Sequence, residues 1–141
     1  MGSYYHTDDG KIKEELLDKK AEEVAKKIFI GGRRDTESTR TQIRKFYNEV
    51  KYYEKKIRKS SDEDSTFKEI FPLMKMLKAK VAYTLGRTEV KISQAFYDEF
   101  VRPCIDRIED REDFYAFVRY FEAVIGYGYY YSKGKKEENL K

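Results

Sequence analysis

The chain holds one cysteine, Cys104, and one histidine, His6. That scarcity excludes an intramolecular disulfide, a metal site built on two cysteines or two histidines, and most histidine-based triads. No apolar run reaches the roughly 18 residues of a membrane span, and the N-terminus, MGSYYHTDDGKIKEE, lacks the apolar centre of a signal peptide. The expectation is a cytoplasmic protein that does not enter a membrane. No phosphate-cradling glycine loop, nucleophile elbow or metal motif occurs, since Gly31-Gly32 and Gly126-x-Gly128 lack the flanking pattern. Nothing points to a cofactor, a metal or an enzyme.

Prolines number two and glycines eight, and β-branched alternation is scarce. What fills the chain instead is charge on an apolar framework. Of 141 residues, 40% are charged and 40% hydrophobic, with a net charge of only +4. The apolar share is too high for a disordered polyampholyte, and the length suits one domain. Apolar residues recur at three and four along most of the chain, so the sequence predicts an all-α fold: a compact bundle of about five helices in a single domain over 1–141. The first ten residues and the tail from 132 to 141 carry no packing pattern and are expected to be flexible.

The spacing predicts a first helix from Lys11 to Phe29 with Leu17, Ala21, Val24 and Ile28 on one face, stopped by Gly31-Gly32. A second, capped by Ser38 or Thr39 and running to about Lys59, turns Ile43, Phe46, Val50, Tyr53 and Ile57 inward. A third, capped by Ser65 or Thr66, carries Met74, Leu77, Val81 and Leu85 inward and ends at Gly86. Pro72 is expected to mark the start of its regular part, with FKEIF forming a separate turn; the alternative is a kink. A fourth helix, Glu89 to about Ile108, should bend at Pro103. Asp110 should cap the fifth and central helix, whose inward face is Phe114, Phe117, Val118, Phe121, Val124 and Ile125. Cys104 reads as a core residue and His6 as a solvated one.

Charge is unevenly placed. Between Thr39 and Lys59 eight basic residues stand against two acidic ones, a local net of +6, while the rest of the chain nets −2. Projected at about 100° per residue, Arg40, Arg44, Lys51, Lys55 and Arg58 fall within about 60°, beside the apolar face. The stripe is about 27 Å long at 1.5 Å per residue, enough to follow several phosphates. A solvated face in a lysine- and glutamate-rich protein is the bland alternative. Because only Glu54 lies near the stripe, polyanion binding leads. On the third helix Lys80 and Arg87 point away from the core and can reach solvent or phosphate, although Arg87 could instead complement its helix dipole. The tyrosines at 127, 129, 130 and 131 could stack bases, but packing or a subunit interface suits them better.

Three blocks in fixed order carry a resemblance: TRTQIRKFYNEV (39 to 50), LKAKVAYTLGR (77 to 87) and FYAFVRYFEAVIGY (114 to 127). With them the sequence resembles the small subunit of type III-A CRISPR effector complexes, the Csm complex. The resemblance spans about 90 residues, and Pro103 departs from the family's pattern. It implies a small helical subunit without catalytic role, present in several self-associating copies. Such a subunit packs beside the backbone and large subunits and contacts target RNA paired with the guide crRNA. It places Arg40 and Arg44 inside the first block, with Lys51, Lys55 and Arg58 extending their face. The second class left open is a helical protein-interaction module that docks an acidic partner.

Overall fold

The computed structural model describes residues 3–31, 36–87 and 93–140, with side chains over 3–30, 39–87 and 93–132. The described residues form five α-helices and no strand, an all-α bundle. The first apolar stretch does not make one helix. A 3-10 turn spans Glu14–Leu17, Asp18 then takes a non-helical conformation, and α1 (Lys19–Lys26) opens into a π-helical turn over Lys27–Gly31. The break shifts the register: Leu16 is buried and Leu17, expected inward, is exposed. Ala21, Val24 and Ile28 keep their inward places.

Residues ahead of α1 pack as well. His6 and Ile12 form an isolated antiparallel bridge, and the Tyr5 hydroxyl donates to the Cys104 carbonyl at 2.5 Å from a fully buried position. His6, expected to be solvated, sets Nδ1 3.1 Å from Asp113 Oδ1. No periodic pattern announces these contacts, because the bridge is local backbone pairing and Tyr5 and His6 each bond a single group on a distant helix.

α2 (Thr36–Arg58) begins three residues before Thr39, which is buried within its first turn rather than capping it. Ser38 and Gly32 lie outside the described side chains and residues. Ile43, Phe46, Val50, Tyr53 and Ile57 are all buried, as their spacing demands.

α3 (Glu63–Gly86) is capped by Asp62, whose carboxylate accepts from the Ser65 amide at 3.1 Å, so the cap lies ahead of the expected Ser65 or Thr66. The helix runs through Pro72 without a separate turn. Proline removes one amide donor and crowds the carbonyl four residues back. Here both Lys68 and Pro72 are exposed, so water can serve that carbonyl, while Phe67, Ile70, Met74 and Leu77 hold both halves in one core.

The expected fourth helix is shorter and wider-wound. Residues 88–92 are not described; a π-helical turn spans Phe96–Val101, followed by α4 (Arg102–Asp106), with Pro103 in its first turn. The turn runs straight into α4, so the missing amide leaves a carbonyl of the wide turn, at the exposed Asp98 or Glu99, to be served by water.

α5 (Arg111–Leu140) closes the fold, with the Asp110 carboxylate accepting from the Asp113 amide at 2.8 Å. Phe114, Phe117, Phe121 and Val124 are fully buried, and Ile125 is half-buried. Phe100 stacks on Phe117 at 5.7 Å and meets Phe121 edge-on at 5.0 Å, joining the π-helical turn to α5. Each such buried ring contributes about 2 to 3 kcal/mol. The backbone of α5 remains helical to Leu140. Cys104 is fully buried, and burial pushes its thiol up to about 12, which leaves it inert.

Candidate nucleic-acid interface

α2 lies between α5 on one side and α3 on the other, and side chains mark both seams. Tyr47 meets Phe121 of α5 edge-on at 5.3 Å, while Glu49 accepts from Lys80 of α3 at 2.7 Å. The strip of α2 between them faces solvent. A helix surface offers the cations of this segment three settings: against α5, outward, or against α3.

The α5 side is built on Glu54, a carboxylate only 6% exposed. Lys51 Nζ donates to its Oε1 at 2.7 Å and Arg58 Nε to its Oε2 at 3.3 Å. The bond to Glu54 raises the pKa of Lys51, keeping it protonated. Arg58 also covers the Tyr115 ring at 3.8 Å. The Tyr115 hydroxyl in turn donates to Glu63, which takes a second bond from Arg111. Those two bonds lower the Glu63 carboxyl below its ordinary range. Arg58 is thereby one member of a chain that ties the end of α2 to the starts of α3 and α5. At the other end of the seam, Arg40 is half-buried with its guanidinium 5.0 Å over the ring of Tyr129.

On the α3 side, Lys80 is held by Glu49, which also accepts from the Tyr53 hydroxyl at 2.8 Å. Burial and that bond push Tyr53 up to about 12. Arg87, just past the end of α3, lies 5.7 Å over the Tyr83 ring.

Of the seven residues singled out from sequence, Arg40 has its contact with Tyr129 but no ion pair among the described residues, while Arg44 and Lys55 carry neither an ion pair nor a ring contact among them. Lys45, Lys56 and Lys59 share that state and are equally exposed. At about 100° per residue these five cations fan over about 120° of the outward strip, which is about 22 Å long from Arg44 to Lys59. The stripe chosen by angle alone therefore straddles two lanes: Arg40, Lys51 and Arg58 lie along the α5 seam, while Arg44 and Lys55 lie one lane further out with the other unpaired cations. Lys45, Lys56 and Lys59 fall outside the stripe because it groups residues by angle and not by pairing. The signal was present: Glu54 stands three residues after Lys51 and four before Arg58, the two spacings at which helix side chains meet.

Chemically, the outward strip offers ammonium and guanidinium groups that no carboxylate pairs with among the described residues, the arrangement that attracts a polyanion. Among the described residues no cluster of carboxylate, thiol and imidazole groups could hold a metal ion, and no helix is long and apolar enough to cross a membrane. Tyr127 and Tyr131 donate to Asp18 and Glu22 across the α1–α5 seam, whereas Tyr129 and Tyr130 are exposed.

Comparison with known proteins adds one finding. The family model Csm2 Type III-A matches residues 11–134 of the chain. No curated protein and no solved structure matches it.

Proposed function

The chain belongs to the Csm2 type III-A family, the small subunit of the CRISPR-Cas Csm complex, and on that premise we propose that it is a non-catalytic RNA-binding subunit of a cytoplasmic, RNA-guided antiviral complex. It contacts the backbone of the target RNA paired with the guide crRNA. It associates with further copies of itself, with the backbone subunit and with the large subunit. Arg44 and Lys55 make the leading phosphate contacts, with Arg40, Lys51 and Arg58 along the α5 seam and Lys80 and Arg87 on α3 as flanking ones.

The observation that carries this reading is the set of unpaired cations on the outward strip of α2. Lysine and arginine neutralise phosphates and release condensed counterions, so affinity is set by charge and nearly indifferent to sequence. Specificity is left to base pairing with the guide. Five phosphate contacts on a single strand correspond to a log-log salt slope of about −3 to −4, at about −0.7 per phosphate.

The test is fluorescence anisotropy of a labelled RNA across a salt series, for the wild-type chain and for Arg44→Glu with Lys55→Glu. Binding that strengthens as salt falls, with that slope, and is lost in the variant supports the reading. Equal binding by both proteins, or a slope near zero, overturns it in favour of docking to an acidic protein.

A further inference from the structure

Tyr52 stands at the centre of the outward strip with 59% of its surface exposed. On a helix the neighbours of a residue lie three, four and seven positions away. For Tyr52 those are Lys45, Asn48, Lys55, Lys56 and Lys59, together with Glu49, which is already bound to Tyr53 and Lys80. A large exposed ring thus sits in a frame of unpaired ammonium groups.

Its state differs from that of the other tyrosines near the strip. Arg40 covers Tyr129, Arg58 covers Tyr115 and Arg87 covers Tyr83, whereas among the described residues no cation lies over Tyr52. The Tyr52 ring is instead braced from one side, meeting Tyr53 at a 61° interplanar angle with centroids 5.9 Å apart. Tyr53 is itself buried and anchored through its hydroxyl to Glu49. The ring is therefore held while remaining open to solvent.

We infer that Tyr52 is a stacking platform for an unpaired RNA base, with Lys45, Lys55, Lys56 and Lys59 holding the phosphates on either side of that nucleotide. This rests on the RNA-binding function proposed above and adds to its phosphate contacts a site for a base left unpaired within or beside the guide–target duplex. Phosphate contacts alone treat single strand and duplex alike apart from charge density. A π-face can be used only by a base that is free of its partner and its stack. Asn48, one turn before Tyr52, supplies an amide within reach of such a base's edge.

The experiment uses the full chain and two RNAs of one sequence, a single strand and its duplex, each carrying 2-aminopurine at one position to report stacking. Wild type, Tyr52→Ala and Tyr52→Phe are titrated across a salt series, with folding followed by circular dichroism. Because base stacking on aromatic side chains is worth about a tenfold change in affinity or more, Tyr52→Ala should bind the single strand about tenfold more weakly. Its salt slope and its duplex affinity should not change. Tyr52→Phe should restore both the affinity and the quenching of 2-aminopurine. Wild type and Tyr52→Ala binding the single strand equally would overturn the platform and leave the phosphate contacts standing. Absence of RNA binding by the wild type would overturn both. Equal weakening toward poly-glutamate in Tyr52→Ala would assign the ring to an acidic protein segment and also overturn it.

Discussion

The two lanes of α2 carry the same residue types and differ in what their charges touch. Along the α5 seam, Lys51 and Arg58 close on the buried Glu54, and Arg40 and Arg58 lie over Tyr129 and Tyr115. One lane further out, Arg44, Lys45, Lys55, Lys56 and Lys59 face water with no ion pair among the described residues. The seam converts cations into structure: Glu54 holds Lys51 and Arg58 within α2, and the contacts of Arg40 with Tyr129 and of Arg58 with Tyr115 carry the seam across to α5. The open lane keeps its charges for a partner. Counting lysines and arginines cannot separate these two uses, and the position of one glutamate can.

The largest effect should follow from reversing the open lane. Arg44→Glu with Lys55→Glu and Lys59→Glu is expected to lower RNA affinity about a hundredfold or more at low salt, because neutralised phosphates dominate the binding free energy. Unfolding free energy should stay within about 0.5 kcal/mol, since exposed unpaired side chains are removed. Anisotropy and urea denaturation on the same samples check both halves. A variant that unfolds would show the open lane to be structural too.

Next in size is Gly128→Ala. Gly128 is buried in α5, and a methyl group there would collide with the Phe29 ring, whereas one on Gly126 would meet nothing. Overpacking of this kind costs about 1 to 3 kcal/mol, and the shift acts one residue from Tyr129, which covers Arg40. Gly126→Ala should instead stabilise α5 by up to about 1 kcal/mol through helix propensity. Thermal unfolding of the two variants should therefore move in opposite directions.

Smaller again is Glu54→Gln, which tests the paired lane directly. Removing the charge weakens two charge-assisted bonds and should cost about 1 kcal/mol of stability. It also releases Lys51 and Arg58, so RNA affinity should rise severalfold and the salt slope should steepen by about 0.7 for each cation recruited. Stability falling while affinity rises is the signature of a cation shared between fold and ligand.

How much of this was legible in the sequence depended on whether one helix's own periodicity settled the outcome. The inward faces of α2 and α5 follow from spacing alone, and Asp110 caps α5 as its position suggests. Leu17 was misplaced because Asp18 breaks the helix between Leu17 and Ala21, so the residues no longer share an angle. Pro72 suggests a boundary because a proline's local cost is visible in sequence, while the packing of Phe67, Ile70 and Met74 that overrides it is not. The basic segment was legible as a segment. Which of its members remained unpaired required knowing that Glu54 is buried and that Glu49 reaches Lys80 on another helix.

The smallest effect compares the tyrosines that brace each lane. Tyr53, beside the open lane, and Tyr115, under Arg58, are each pushed up to about 12 from an ordinary value of 10.0, by burial first and then by a bond to Glu49 or Glu63. A group whose folded pKa is raised contributes stability that is complete below its unfolded pKa and is lost as pH climbs through the folded one. Between about pH 10 and 12 the unfolded chain releases these two protons while the folded chain retains them, so the urea midpoint should fall across that window. Tyr53→Phe and Tyr115→Phe should each flatten the fall in part, as each removes one of the protons that drive it alongside those of the other tyrosines held above their ordinary value, the buried Tyr4, Tyr5 and Tyr120 among them. Tyr115→Phe keeps a ring beneath Arg58 but drops the bond to Glu63, so it should also lower stability at neutral pH by about 1 kcal/mol while leaving RNA affinity unchanged. A loss of RNA affinity in Tyr115→Phe would mean that the paired lane, and not the open one, is where the polyanion lies.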